Sequence, residues 1–279
     1  MKLANLKLKN PYFLAPMLEP NDIAFRLLCK KAGCGLTFTG MTSPFSKQKI
    51  ELKDRPILQL FANTPRGIPQ FIKKYDKKVS GWDFNLGCPS KLSKKLGHGA
   101  FLQKDLSQIQ RIFQAMRSST KKPCIVKLRK SPNAIKIAKL AEKENFDAIA
   151  LHSRTIQDGY SGEPDYKFAL KLKKSTTLPI IYSGNVDEKN AKAILKDFPF
   201  VMIGRSAIGN PNIFAKLSGK KSRIQFKDYS KLAKKHKFFF KQIKYQAMAF
   251  TKGERSAKRM RGDLIGAKTI KEISKIFKK

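Results

Sequence analysis

Carboxylates are scarce in this sequence: 20 Asp and Glu stand against 59 Lys and Arg, a formal charge of +39 over 279 residues. So one-sided a balance excludes cationic partners and favours polyanions, nucleic acid first among them. Cysteine is scarce as well. Cys29, Cys34, Cys88 and Cys124 form no C-x-x-C pair and no Cys/His cluster. That argues against a zinc site, or any other metal centre, and suits a reducing compartment. No apolar run reaches eighteen residues, and the N-terminus carries no apolar secretory core. The expectation is a soluble cytoplasmic protein with no membrane segment. Also missing is a G-x-G-x-x-G turn after the first strand-like run, the usual fingerprint of a doubly wound dinucleotide fold.

What remains is an alternation of short apolar runs and helix-length segments, the pattern of a parallel α/β fold. Eight runs read as strands: Tyr12–Met17, Leu36–Met41, Ile57–Ala62, Trp82–Leu86, Cys124–Leu128, Ala148–Leu151, Pro179–Tyr182 and Phe200–Ile203. Between them lie amphipathic segments such as Ala134–Glu144 and Asp187–Lys196, the second with Asp187 placed to cap it. Eight such units fit a (β/α)8 TIM barrel, with an open doubly wound sheet as the structural alternative. Composition shifts near Ser218–Gly219, which divides a barrel over residues 1–218 from a small all-α domain over 219–279. In the second part basic residues outnumber acidic ones about five to one, so its helices carry a basic face. A solvated lysine-rich extension would look the same. Asp228 to Phe250 reads as one long helix, with Leu232, Phe239, Ile243 and Phe250 on one side and Thr251–Lys252–Gly253 at its end. Thr269 and Glu272 make a capping box for a last short helix.

The residues that close the strands of a barrel share one rim and are read together. Here that rim carries Ala15–Pro16–Met17, Gln59, Asn85 with Cys88, Lys127 and Arg129, His152 with Arg154, Ser183–Gly184–Asn185, and Gly204–Arg205. Singly, each has an ordinary explanation: a packed thiol, a snorkelling lysine, a core histidine, a plain turn. Cys88 stands apart because it falls where Gly87 breaks a strand, with Pro89 forcing an extended exit and Gly97–His98–Gly99–Ala100 following. The other three cysteines fall in the first helix, the turn after it and an apolar strand, where they pack. The last two rim turns follow the seventh and eighth strands, a frequent phosphate-binding position of this architecture.

These residues resemble the tRNA-dihydrouridine synthases. The most specific piece is Asp83–Phe84–Asn85–Leu86–Gly87–Cys88–Pro89 with Gly97–His98–Gly99–Ala100, and next His152–Ser153–Arg154–Thr155 with Gln157, Tyr160 and Gly162. The resemblance spans the barrel from Leu14–Ala15–Pro16–Met17 to Gly209–Asn210–Pro211; the tail is similar in architecture alone, and short. It implies an FMN-binding barrel followed by a helical RNA-binding domain, reduced by NADPH or NADH, acting on tRNA as a monomer. It also implies Cys88 as the acid that protonates C5 of uracil. Pro16, Met17, Gln59, Lys127 and His152 would contact the flavin, with Lys127 at the edge where negative charge collects. Ser183, Gly184, Asn185, Gly204 and Arg205 would hold its phosphate. Asn85, Arg129, Arg154 and Thr155 would lie near the target base. Ser183 stands where many of these enzymes have Asn, and Asn185 where they have an acid.

A thiol titrates near 8.5 in model peptides, so one at this rim has a proton to give at neutral pH. A target base has to leave its stack to reach the barrel mouth, and the segment Lys91–Lys95 beside Cys88, read as a loop, would lie against the RNA backbone. Two alternatives are a barrel of the dihydroorotate-dehydrogenase kind acting on a free pyrimidine, and a catalytically inert RNA-binding barrel. The charge and basic tail disfavour the first, and the intact Cys88 and flavin positions disfavour the second.

Overall fold

The structure is a computed structural model that describes residues 1–17 and 21–278. Eight parallel strands carry it: β1 (Tyr12–Leu14), β2 (Leu36–Thr37), β3 (Ile57–Leu60), β4 (Gly81–Leu86), β5 (Cys124–Arg129), β6 (Ala148–His152), β7 (Ile180–Ser183) and β8 (Phe200–Ile203). Their order is β2-β1-β8-β7-β6-β5-β4-β3. Parallel bridges Phe38–Ile57 and Thr42–Leu60 close the ring beyond β2. This is the barrel expected from the eight runs, and the open-sheet alternative falls away.

Strand periodicity sorts the side chains into two cores. Trp82, Phe84 and Leu86 of β4 point outward to the helices, as do Val126 and Leu128 of β5. The intervening positions point inward. Phe13, Leu36, Phe38, Ile57, Ile125, Ala148, Ala150, Ile181, Phe200 and Met202 fill the lower interior. Phe13 stacks on Phe200 with ring centroids 5.1 Å apart. A two-stranded hairpin, Lys2–Leu3 with Leu6–Lys7, closes the bottom and adds Leu3 and Leu8 to that core. Two residues further along each strand, the same inward parity reaches Gln59, Asn85, Lys127, His152 and Ser183. Parity alone places the polar set at the C-terminal mouth.

Helices α1 (Ile23–Lys31), α2 (Ile68–Tyr75), α3 (Lys91–Leu96), α4 (Leu106–Ser119), α5 (Ala134–Lys143), α6 (Tyr166–Lys174), α7 (Ala191–Ile194) and α8 (Ile213–Ser218) belong to the barrel sequence. Three expectations need correction. Asp187 caps a turn rather than a helix: its Oδ1 accepts from the amides of Lys189 and Asn190, and α7 begins only after Asn190. Lys91–Lys95 is helical, not a loop, because the Ser90 side chain accepts from the Ser93 amide and caps α3. The long tail helix is broken into α9 (Phe226–Lys235) and α10 (Phe240–Phe250). Lys237 between them has a left-handed φ of 54°, and Phe239 lies 84% exposed instead of joining the buried face.

The tail ends with α11 (Ala257–Gly266) and α12 (Ile270–Ile276), the latter capped by Thr269. Gly219 terminates α8 in the left-handed region, where the composition shifts. The tail helices share a core, in which Phe226 stacks on Phe277 with Phe250 edge-on. They are also fastened to the barrel. Tyr229 Oη and Gln246 Nε2 both donate to Asp22 Oδ2, at 3.0 Å each, while Asp22 Oδ1 caps α1. Gly209, after β8, lies so close to the end of α10 that a Cβ there would sit 1.9 Å from the Ala249 carbonyl oxygen.

Candidate active site

A cavity of about 940 Å³ opens at the C-terminal mouth of the barrel, at the upper end of the range for small-molecule sites. Ala15, Pro16, Met17 and Met202 give it an apolar floor. Around that floor stand Gln59, Asn85, Cys88, Lys127, Arg129, His152, Ser183, Gly184, Asn185, Gly204 and Arg205. The rim residues singled out in the sequence thus meet in one place, with two exceptions. Arg154 is 1% exposed and turned away, donating from Nε to the Ser161 carbonyl and from Nη2 to that of Gly162. Thr155 exchanges hydrogen bonds with Asp158 and does not reach the cavity wall. Arg129 does line the wall, but its donors go to the carbonyls of Gly87, Thr155 and Gly159. It clamps the loops after β4 and β6 together.

Cys88 is the one cysteine that is not buried. Its turn is built by Asn85, whose Oδ1 accepts from the amides of Gly87 (3.1 Å) and Cys88 (2.9 Å). Behind it, Gly99 has φ +61°, and a Cβ there would come within 2.8 Å of the Cys88 carbonyl oxygen. Only glycine lets the Gly97–Gly99 segment back up the thiol this closely.

The electrostatics are one-sided. Burial, followed by the charges of Lys127, Arg129, Arg154 and Arg205, drives His152 down to about 2, so its imidazole is neutral at physiological pH. Its Nδ1 is buried without a hydrogen-bond partner, and the ring lines the cavity wall. Burial lowers Lys127 to about 8, against the opposing pull of Asp83. At the β7–β8 side, Arg205 lies 5.2 Å from the centre of the Tyr160 ring and donates to Asn185 Oδ1 at 2.8 Å. Asn185 in turn donates to Glu163. A Cβ on Gly204 would occupy the space 3.5 Å from the Ala15 methyl and 3.8 Å from the Met17 sulfur. An apolar floor, an unpartnered imidazole nitrogen, a buried ammonium and a terminal guanidinium fit a flat polar ring system with an anionic end. FMN is such a molecule.

Sequence reasoning left several lining residues unassigned. Ser90 and Leu92 come with helix α3, Met41, Glu163 and Asn190 come from the rim loops, and Lys252 comes from the tail, past the end of α10. Proximity of Lys252 follows from the close approach of Gly209 to Ala249, which no local pattern announces.

A family model described as dihydrouridine synthase (Dus) matches residues 13–272. The chain belongs to the dihydrouridine synthase family. Among curated relatives, the tRNA-dihydrouridine synthase B of Vibrio parahaemolyticus is 32% identical over 240 residues, covering 78% of this chain and 74% of the relative. A probable tRNA-dihydrouridine synthase of Rickettsia bellii is 30% identical over 238 residues, covering 78% and 73%. Solved structures with the same fold include morphinone reductase in complex with tetrahydroNAD, at TM-score 0.58 and 12% identity, covering 82% of this chain and 92% of that one. A variant of NCR from Zymomonas mobilis aligns with the same TM-score, 0.58, covering 82% and 93%. Membership of the dihydrouridine synthase family sets aside the reading as an enzyme of free pyrimidines. Among the described residues no helix is long and apolar enough to cross a membrane, and no group of His, Cys, Asp and Glu is placed to hold a metal.

Proposed function

We propose that this protein is an FMN-dependent tRNA-dihydrouridine synthase, reducing the C5–C6 double bond of uridines in tRNA with NADPH or NADH as the ultimate donor. The observation that carries the reading is the half-exposed thiol of Cys88 held over the same cavity as the apolar floor, Lys127, His152 and Arg205. When bound, FMN supplies the hydride that goes to C6 of the uracil ring. Cys88 gives its Sγ proton to C5, and the thiol is restored from solvent. Lys127 sets a cation against the electron-rich edge of the ring system, and neutral His152 offers a ring nitrogen to it. Pro16, Met17 and Gln59 would contact the ring system. Ser183, Gly184, Asn185, Gly204 and Arg205 take the phosphate, where the Arg205–Asn185 bond is exchanged for contacts to the anion. Asn85 keeps the Cys88 turn in place. Arg129 and Arg154 shape the loops around the base, and Thr155 closes the turn after β6.

Residues 219–279 form the RNA-binding part, with 20 basic and 4 acidic residues in a segment whose helices are fastened to the barrel at Asp22 and Gly209. Together with the basic α3 beside Cys88, they supply a track for the tRNA backbone. The target base has to be extruded to reach the floor of the cavity. A single chain contains every part of the cavity, which fits a monomer, and the tRNA substrate fits a cytoplasmic enzyme.

The test is reconstitution. Protein saturated with FMN and supplied with NADPH and unmodified tRNA should form dihydrouridine, detected by mass spectrometry of the digested RNA. Failure to bind FMN, or reduced cofactor that tRNA does not reoxidise, would sink the reading.

A further inference from the structure

The reaction as described leaves Asp83 without a task. Its carboxylate is fully buried on the inward face of β4, one layer beneath the cavity and paired in register with Ile125. Burying a carboxylate in a layer of Phe, Ile and Met is costly, and such groups persist where something compensates. Asp83 Oδ2 accepts from Gln59 Nε2 at 2.7 Å, and Oδ1 has no partner. Gln59 Oε1 accepts from Asn85 Nδ2 at 2.8 Å, and Asn85 Oδ1 accepts from the amides of Gly87 and Cys88. A backbone amide only donates, so Asn85 turns Oδ1 to the Cys88 turn and Nδ2 to Gln59 Oε1, which leaves Gln59 Nε2 to donate to Asp83. An unbroken polar line therefore runs from Asp83 to the amide of Cys88.

Asp83 also acts on Lys127 through space, without a direct ion pair. Lys127 pairs in register with Asn85 on the neighbouring strand, so Asp83 lies diagonally from it on the same inward face. The other ionisable groups acting around Lys127 are Arg129 on its own strand, the Cys88 thiol beyond β4 and His152 on β6. Among the described residues, Asp83 is the carboxylate that faces it.

We propose that Asp83 is a positioning residue of the reaction, fixing the Cys88 turn through Gln59 and Asn85 and supplying the buried counter-charge that keeps Lys127 protonated. The proposal rests on the reading of Lys127 as the cation that faces the flavin. Burial and Arg129 both push the Lys127 proton off, and Asp83 opposes them. A lysine is charged below its pKa, so the cation is lost as pH rises through about 8; burial pushes the Asp83 carboxyl up to about 7, against the pull of Gln59 and Lys127, so the counter-charge is complete only above that pH. Without the carboxylate the same loss comes at lower pH.

FMN affinity, followed by flavin fluorescence from about pH 6.5 to about pH 9.5, reads this directly. The wild-type protein should lose affinity through pH about 8, and Asp83→Asn, nearly isosteric, should move the midpoint down by about one unit or more. Lys127→Met should flatten the profile and serve as baseline for the titration of FMN itself. Coincident midpoints for wild type and Asp83→Asn would overturn the proposal. Absence of FMN binding at every pH would instead strike the function assigned above. Melting temperatures give a second reading that needs no cofactor. Lys127→Met leaves a buried carboxylate without its counter-charge, so adding Asp83→Asn should raise its melting temperature. Strictly additive losses would overturn the pairing. An Asp83→Asn chain that folds only together with Lys127→Met would support it.

Discussion

The lower interior of the barrel and its mouth are built from the same strands by the same alternation, yet they do opposite work. Below, Phe13, Phe38, Ile57, Ile125 and Phe200 form a buried apolar layer. Above, the next inward positions are Gln59, Asn85, Lys127, His152 and Ser183, whose polar atoms are satisfied only in part by the protein. The lesson is that one inward step along a strand separates stability from chemistry. Asp83 is the exception, a carboxylate at the depth of the apolar layer that answers to the layer above.

Substitutions can break that division. The largest effect belongs to the mouth. Cys88→Ala should keep fold, FMN and tRNA binding, and should still be reduced by NADPH, since that half-reaction needs no proton from the thiol. Single-turnover reoxidation by tRNA should slow by roughly 10²–10⁴-fold, the cost of losing a positioned general acid. Comparable rates would remove Cys88 from the mechanism. Next comes the lower interior. Phe200→Ala deletes one ring of the Phe13–Phe200 stack and should cost about 3–5 kcal/mol of stability in a denaturant titration. The fraction that remains folded should bind FMN as before; a loss of affinity in proportion would show that lower interior and mouth are one unit. The smallest effects lie outside both regions. Replacing Lys234, Lys235 and Lys241 of the tail by Gln should weaken tRNA binding by modest factors and flatten its salt dependence. The slope of log affinity against log salt should fall by about 0.7–0.9 for each phosphate that is no longer neutralised. An unchanged slope would mean that these lysines are merely solvated.

Much of this was legible in the sequence, because a barrel repeats one unit and each strand ends on the same rim. Eight runs, read with their closing residues, led around the cavity wall from Pro16 to Arg205, and only Arg154 and Thr155 fell outside it. What escaped depended on contacts between distant segments. Arg154 follows β6 as a rim residue should, but its Nε and Nη2 donate to the Ser161 and Gly162 carbonyls of its own loop, and its Nη1 is buried without a partner. The break between α9 and α10 carries no proline or glycine; Lys237 adopts the left-handed conformation, and periodicity runs through it unnoticed. Lys252 lines the cavity only because the chain after β8 lets α10 come close. Asp83 was visible in the motif, but its line to Cys88 needs β3 and β4 side by side.

The contacts of Asp22 also bear on how the chain is made. Its carboxylate caps the first helix of the barrel and accepts from Tyr229 and Gln246, more than 200 residues further on. Barrel closure has the same reach, since β1 pairs with β8. On a translating ribosome neither can form until almost the whole chain has emerged, so the nascent protein holds an open β-edge and an uncovered apolar face on α1 for most of its synthesis. Long-range closure of this kind is slow and exposes aggregation-prone surface. The first helix of the chain thus waits on its last ones before its surface is closed.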